Sequence, residues 1–142
     1  MPESQAISVL AFDYGLKNIG VAIGQNVTGT AQELAPLRAK DGIPQWHDIK
    51  ALLDEWQPNQ VLVGLPLNMD GTESELCARA RKFANRIHGR FGCAIEMADE
   101  RLSTRSAKEE AYERKHSGNF GDNPIDSIAA RIILESWLRE RE

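Results

Sequence analysis

Residues 7–25 read ISVLAFDYGLKNIGVAIGQ, and the fold is decided in this stretch. Ile7–Asp13 is an apolar run of β-forming residues that ends on an acid, the pattern of a buried strand. Tyr14–Asn18 carries a turn signal, with Gly15 supplying a permissive backbone. Ile19–Gln25 is a second apolar run, and the short connection makes the pair an antiparallel hairpin. Gly20 and Gly24 interrupt that second run, which suits close approach by another backbone or a ligand.

Working outward, Thr28–Leu37 is expected to be a third antiparallel strand. Pro44–Trp56 has Trp46, Ile49, Leu52, Leu53 and Trp56 at helical spacing, with Pro44 in the first turn and Pro58 as the stop. Gln60–Gly64 is a short buried strand, and Leu65–Gly71 is a loop with Asp-Gly turn chemistry in which Gly64, Pro66 and Gly71 suggest a fixed turn. Thr72 and Glu75 have capping-box spacing and open a helix to about Arg90, whose buried face is Leu76, Ala80, Phe83, Ala84 and Ile87. Cys93–Ala98 is a strand, Ser103–Arg114 a helix, and residues 115–123 a polar loop. Asn123-Pro124 opens a last helix that buries Ile125, Ile128, Ala129, Ile132 and Ile133. Three meandering strands followed by alternating helices and strands give an α/β fold with a mixed sheet flanked by helices. The 142 residues are expected to form one domain over 1–142.

In open α/β sheets, ligands sit beyond the carboxyl ends of the strands. Asp13 ends the first strand, Asp99-Glu100 ends the last, and Asp126 stands in the first turn of the last helix. If the first and last strands lie close and parallel, these acids converge. Of the adjacent pair only one can point inward, and Asp99 is read as a loop residue. Converged carboxylates repel unless they share protons or bind a cation. Mg²⁺ takes carboxylate and phosphate oxygens, and a pair of such ions serves phosphodiester hydrolysis. Singly, each acid has a structural explanation, as turn former or as partner of a helix dipole. His47, His88 and His116 are scattered and read as surface or structural residues. Cys77 and Cys93 lack zinc-site spacing and read as small buried or half-buried thiols.

The net charge of −4 argues against a broad non-specific grip on nucleic acid. Residues 76–116, however, hold ten Lys/Arg against six Asp/Glu. Arg79, Lys82, Arg86 and Arg90 form one stripe along the helix 72–90, which could follow phosphates or simply be a solvated face. Lys17 and Arg101 flank the acids and could steady a phosphate; Arg101 could instead pair with Asp99. Asn68 and Thr72 could donate to a phosphate, although turn and cap duties explain them too. No apolar run approaches ~18 residues, so no membrane span is expected. MPESQAIS lacks the features of a signal peptide, and a cytoplasmic protein is expected.

Five ordered blocks carry a family resemblance: AFDYGLKNIGVAIG (11–24), VGLPLNMDGT (63–72), RARKFANRI (79–87), DERLST (99–104) and IDSIAARIILESWL (125–138). Together they resemble the YqgF, or RuvX, family of bacterial nucleases, relatives of the Holliday-junction resolvase RuvC. The resemblance implies an RNase H-like fold and a hydrolase, a metal-dependent nuclease that processes the 5′ end of pre-16S rRNA in ribosome biogenesis. The older implication is a junction resolvase acting on DNA; a non-catalytic nucleic-acid-binding module is the remaining alternative. Matched to the family's acidic motifs, Asp13, Glu100 and Asp126 are the implied catalytic residues and ligands of Mg²⁺ or Mn²⁺. The related resolvases place a fourth acid near the last one. Here none stands three residues either side of Asp126, and Asp122 lies in the loop, which leaves a second metal site either weak or completed only by substrate phosphate. The expected partner is nucleic acid, RNA before structured DNA, bound by a monomer or weak dimer.

Overall fold

The computed structural model describes residues 6–100, 109, 110, 113 and 124–140, of which residues 124–126 are described for backbone alone. Its strands are β1 (Ser8–Asp13), β2 (Asn18–Gln25), β3 (Thr30–Lys40), β4 (Ile43–Pro44), β5 (Gln60–Leu65) and β6 (Ile95–Asp99). The helices whose bounds fall among the described residues are α1 (Trp46–Trp56), α2 (Glu75–Phe91) and α3 (Pro124–Glu140). The strands form one sheet in the order β4-β3-β2-β1-β5-β6. β1 is antiparallel to β2 and parallel to β5, and β5 is parallel to β6. The expected mixed sheet is present.

β1 and β5 are central and covered on both faces, which is why both read as continuous apolar runs. Val9, Leu10, Ala11 and Phe12 are fully buried, as are Val61, Leu62 and Val63. The period of two sorts them. Leu10, Phe12 and Tyr14 pack with Val61, Val63, Ile49, Leu53, Phe83 and Ile87 beneath α1 and α2. Val9, Ala11 and Leu62 pack on the other face with Ala130, Leu134, Trp137 and Leu138 of α3. Burying a side chain of the size of Phe12 stabilises the fold by roughly 1.5–3 kcal/mol.

Helix α3 crosses its face of the sheet from β2 and β3 toward β6. At its start the buried Ser127 donates its hydroxyl to the Leu34 carbonyl at 2.6 Å and accepts the Val21 N–H at 3.4 Å. At its far end Trp137 Nε1 donates to Glu96 Oε2 at 2.8 Å. Gly24 meets the expectation of close approach: a Cβ there would stand 3.0 Å from Leu134 Cδ2 and 2.7 Å from the Thr30 carbonyl oxygen.

Several element boundaries differ from the sequence reading. β3 runs to Lys40, through Pro36, because the register shifts between Ile19 and Val21 and opens a bulge there, where proline is tolerated. Pro44 is not in a helix: it pairs with Ala39 in the short β4, and α1 starts at Trp46. The capping box at Thr72 does not form. Thr72 bonds Asp70 Oδ1 through both its N–H (2.9 Å) and its hydroxyl (2.6 Å), and α2 starts at Glu75 after Ser74. Asp99 is the last residue of β6, not part of a loop. In the expected helix 103–114, Glu109, Glu110 and Glu113 are helical; the rest of it, with the loop 115–123, lies outside the described residues.

The turn 26–29 joins β2 to β3 at the end of the sheet remote from Asp13, since Gln25 pairs with Ser8 at the start of β1. Val27 projects there with 66% exposure.

Candidate active site

Parallel strands β1, β5 and β6 end on the same edge of the sheet, and residues at or next to those ends build the site. β1 and β6 are not neighbours; β5 lies between them. Asp13 continues the series Val9 and Ala11, so it belongs to the α3 face. Glu100 follows Glu96 and Ala98 on that same face, and its N–H reaches the Leu65 carbonyl at 3.3 Å. The Glu100 side chain is buried. Its carboxyl lies over Gly64 of β5 and meets Asp13 in a hydrogen bond.

Gly64 makes that crossing possible. A Cβ built there would collide with Glu100 Oε2 and come within 2.9 Å of Ile133 Cδ1. The sequence reading ends the strand at Gly64 and also counts Gly64 toward a fixed turn; the strand runs on to Leu65, and a carboxylate rests on Gly64. A glycine inside a strand run is itself a signal of close approach, and that signal was present in QVLVG.

Burial pushes the Glu100 carboxyl above the ordinary carboxylate range; the hydrogen bond from Asp13 opposes this, and the nearby Asp99 charge adds to it. Asp99 itself is exposed. Asp126 stands in the first turn of α3, one residue before the anchored Ser127; its side chain lies outside the described residues. Among the described residues no three His, Cys, Asp or Glu side chains gather as a metal site. Asp13 and Glu100 make a pair of hard oxygen donors, the kind that suits Mg²⁺ or Mn²⁺ and not a thiolate-preferring ion.

The expected phosphate-binding residues divide. Lys17 is exposed in the β1–β2 turn, where its carbonyl accepts the Ala39 N–H at 2.8 Å. Arg79 pairs with Asp41 at 3.1 Å. Lys82 and Arg86 line a cavity against Tyr14 and Trp46, and the Arg90 guanidinium covers the Trp46 ring at 4.3 Å. This stripe lies on the α2 face of the sheet, opposite to Asp13. Arg101 lies outside the described residues. The loop after β5 closes on itself: Asn68 Nδ2 donates to Thr72 Oγ1 at 3.0 Å, and Gly71 N–H to the Asn68 carbonyl at 2.8 Å. Turn duty therefore uses both residues that were considered for phosphate.

His88 caps the end of α2 through Nδ1 and the Cys93 carbonyl at 2.8 Å, and His47 is exposed beside Asp48. His116 lies outside the described residues. Cys77 is buried and Cys93 half-buried, both as free thiols, and burial pushes the Cys93 thiol up. Among the described residues no helix is long and apolar enough to cross a membrane.

Known proteins resemble this chain in sequence and in fold. The family model described as "RuvX: Holliday junction resolvase" matches residues 7–140. A protein of Saccharophagus degradans named "Putative pre-16S rRNA nuclease" is 63% identical over 133 residues, 94% of each chain. One of the same name from Photobacterium profundum is 59% identical, covering 97% of this chain and 98% of the relative. Among solved structures, Thermus thermophilus RuvC in complex with a Holliday junction substrate superposes with a TM-score of 0.57 at 15% identity, over 95% of this chain and 96% of that one. The fowlpox virus resolvase with junction DNA also gives 0.57 at 15% identity, over 95% and 99%. These likenesses establish the RNase H-like fold, and with the sequence matches the chain belongs to the RuvX family of nucleases.

Proposed function

We propose that this chain is a divalent-metal-dependent nuclease that hydrolyses RNA, with the 5′ end of pre-16S rRNA as its substrate and Asp13, Glu100 and Asp126 as its catalytic acids. The observation that carries the reading is the Asp13–Glu100 carboxyl pair, held together over Gly64 at the strand-end edge. Burying Glu100 against the half-buried Asp13 costs stability, and a cation on their oxygens offsets that cost. The names of the close relatives support the RNA substrate.

Asp13 and Glu100 would hold the metal, joined by Asp126 from the first turn of α3. Bound Mg²⁺ or Mn²⁺ supplies Lewis acidity and water activation for phosphodiester hydrolysis. Gly64 leaves room for the Glu100 carboxylate, and Ser127 fixes the start of the helix that carries Asp126. Lys17 and Arg101 steady phosphates near the acids, while Arg79, Lys82, Arg86 and Arg90 attract the strand from the α2 face. The chain works as one domain over 1–142, in the cytoplasm, as a monomer or weak dimer.

The test compares wild type with Asp13→Asn on a labelled ribosomal-precursor RNA. Loss of cleavage in the variant is expected; equal rates would remove the assignment. The family description favours a second reading, a resolvase acting on junction DNA. A parallel reaction with a four-way DNA junction decides between them, since paired symmetric cuts there without RNA cleavage would select the resolvase.

A further inference from the structure

A cavity of about 230 Å³ opens on the α2 face, between the β3–β4 turn, the start of α1 and the outer side of α2. Tyr14, Trp46 and Phe83 form its aromatic wall, and Arg79, Lys82 and Arg86 bring three cations to it. Asp41 is the acid in its lining. Tyr14 follows Asp13 directly, so the cavity backs onto the catalytic edge from the opposite face.

The cavity has a fixed rim. The Tyr14 ring tilts on Phe83 at 5.2 Å, and Trp46 stacks on Phe83 at 6.2 Å. Gly42 has φ +81° and lies against the Tyr14 hydroxyl so closely that a Cβ would collide with it. The Gly42 N–H donates to the Leu16 carbonyl at 2.8 Å, as Ala39 does to Lys17, so the β1–β2 and β3–β4 turns are stitched together.

Three cations less one carboxylate leave a charge of +2 around this opening. An internal phosphodiester carries a single negative charge, whereas a phosphomonoester carries about −1.5 to −2 at neutral pH. The volume is below the roughly 300–1,000 Å³ of sites for drug-sized ligands, so it suits a phosphate with its ribose and not a duplex. Asp41 already occupies one guanidinium: Arg79 donates to its carboxylate at 3.1 Å and to its carbonyl at 3.4 Å. Asp41 is 76% exposed, and an exposed pair of this kind is weak enough to exchange for a more highly charged anion.

We propose that this cavity binds the terminal phosphomonoester of a nucleic-acid strand, with Arg79, Lys82 and Arg86 as its ligands and Asp41 as the internal anion that it displaces. The nucleic-acid source rests on the nuclease reading above. Such an end is left when water adds to phosphorus and a P–O bond of the chain breaks, so a hydrolytic cut elsewhere in the strand must supply it.

The experiment is an anisotropy titration of full-length wild type in EDTA, where no cleavage occurs, with short labelled RNAs ending in 5′-phosphate, 3′-phosphate or hydroxyls only. One phosphorylated end is expected to bind about tenfold more tightly than the hydroxyl form, as charge-assisted bonds require. The preference should vanish in Lys82→Gln/Arg86→Gln and grow in Asp41→Asn, with thermal melts verifying that both variants fold. Equal binding of all three RNAs, or a preference unchanged in the double variant, overturns the proposal. Competition by inorganic phosphate or a mononucleotide as effective as that by the phosphorylated RNA assigns the cavity to a free anion and also overturns it. Failure here leaves the Asp13 cleavage test untouched, and failure of that test leaves this binding measurable.

Discussion

The Glu100 carboxylate rests on the Cα of Gly64, in the space that any other residue's side chain would fill. The atoms that an added Cβ would strike are the ends of two side chains, Glu100 and Ile133, and not backbone. Gly64→Ala is therefore expected to fold, at a cost of about 1–3 kcal/mol for overpacking. Its cleavage rate should fall by about a hundredfold or more, because the carboxylate must move by an ångström or so. Melting curves and single-turnover cleavage of the same preparation check both halves; full activity would separate Glu100 from catalysis.

Glu100 also sets a pH dependence. Its folded-state pKa lies above the ordinary 4.5, so across that window the folded chain binds more protons than the unfolded one. The stability contributed by the protonated group is present below pH 4.5 and is lost as the pH rises through the folded value. At neutral pH without metal, the raised pKa is a net cost to folding. Glu100→Gln should thus melt at a higher temperature than wild type at pH 7 in EDTA, with the gap closing in acid. A variant less stable than wild type at pH 7 would contradict this account.

Divalent cation should reverse the same cost. At a hundredfold excess over Kd, a metal that binds only the folded chain adds about 2.7 kcal/mol. Mn²⁺ or Mg²⁺ should raise the melting temperature of wild type, and Asp13→Asn should lose most of that rise. Thermal denaturation with and without EDTA measures it directly.

Ser127 offers a test at the start of α3. Its hydroxyl satisfies the Leu34 carbonyl and receives the Val21 N–H in a buried position. Ser127→Ala leaves those groups unpaired, at an expected cost of about 1–3 kcal/mol read by urea denaturation. Because Asp126 is the preceding residue, cleavage should fall as well, below what the lost stability alone explains.

Most of the fold was legible because β1 and β5 are buried on both faces and so leave unbroken apolar runs, and because Ala80, Phe83, Ala84 and Ile87 keep helical spacing; Leu76, expected with them, is half-buried, and Cys77 takes the buried place in that turn. What escaped was decided by long-range contacts. Pro44 looks like a helix opener until Ala39 is found beside it, and Thr72 looks like a cap until Asp70 takes both its donors. The edge that carries Asp13 and Glu100 follows from strand polarity, which can be read from sequence. That β5 would intervene, and that Gly64 would let one acid cross it, depends on strand order, which no local pattern encodes. The basic stripe was visible as a periodicity, but Asp41, 38 residues before Arg79, gave no hint that it would face it.

The turn at 26–29 has a practical consequence. β2 spans 8 residues, so at about 3.4 Å per residue the turn stands some 27 Å from the end of β1 that carries Asp13. Val27 projects from it, and a Cβ added at Gly29 would meet no heavy atom within 4 Å. A dye, tether or surface linkage placed there leaves the acidic edge and the basic cavity facing away from the attachment, so the molecule can be immobilised in one orientation while a long RNA is drawn across it.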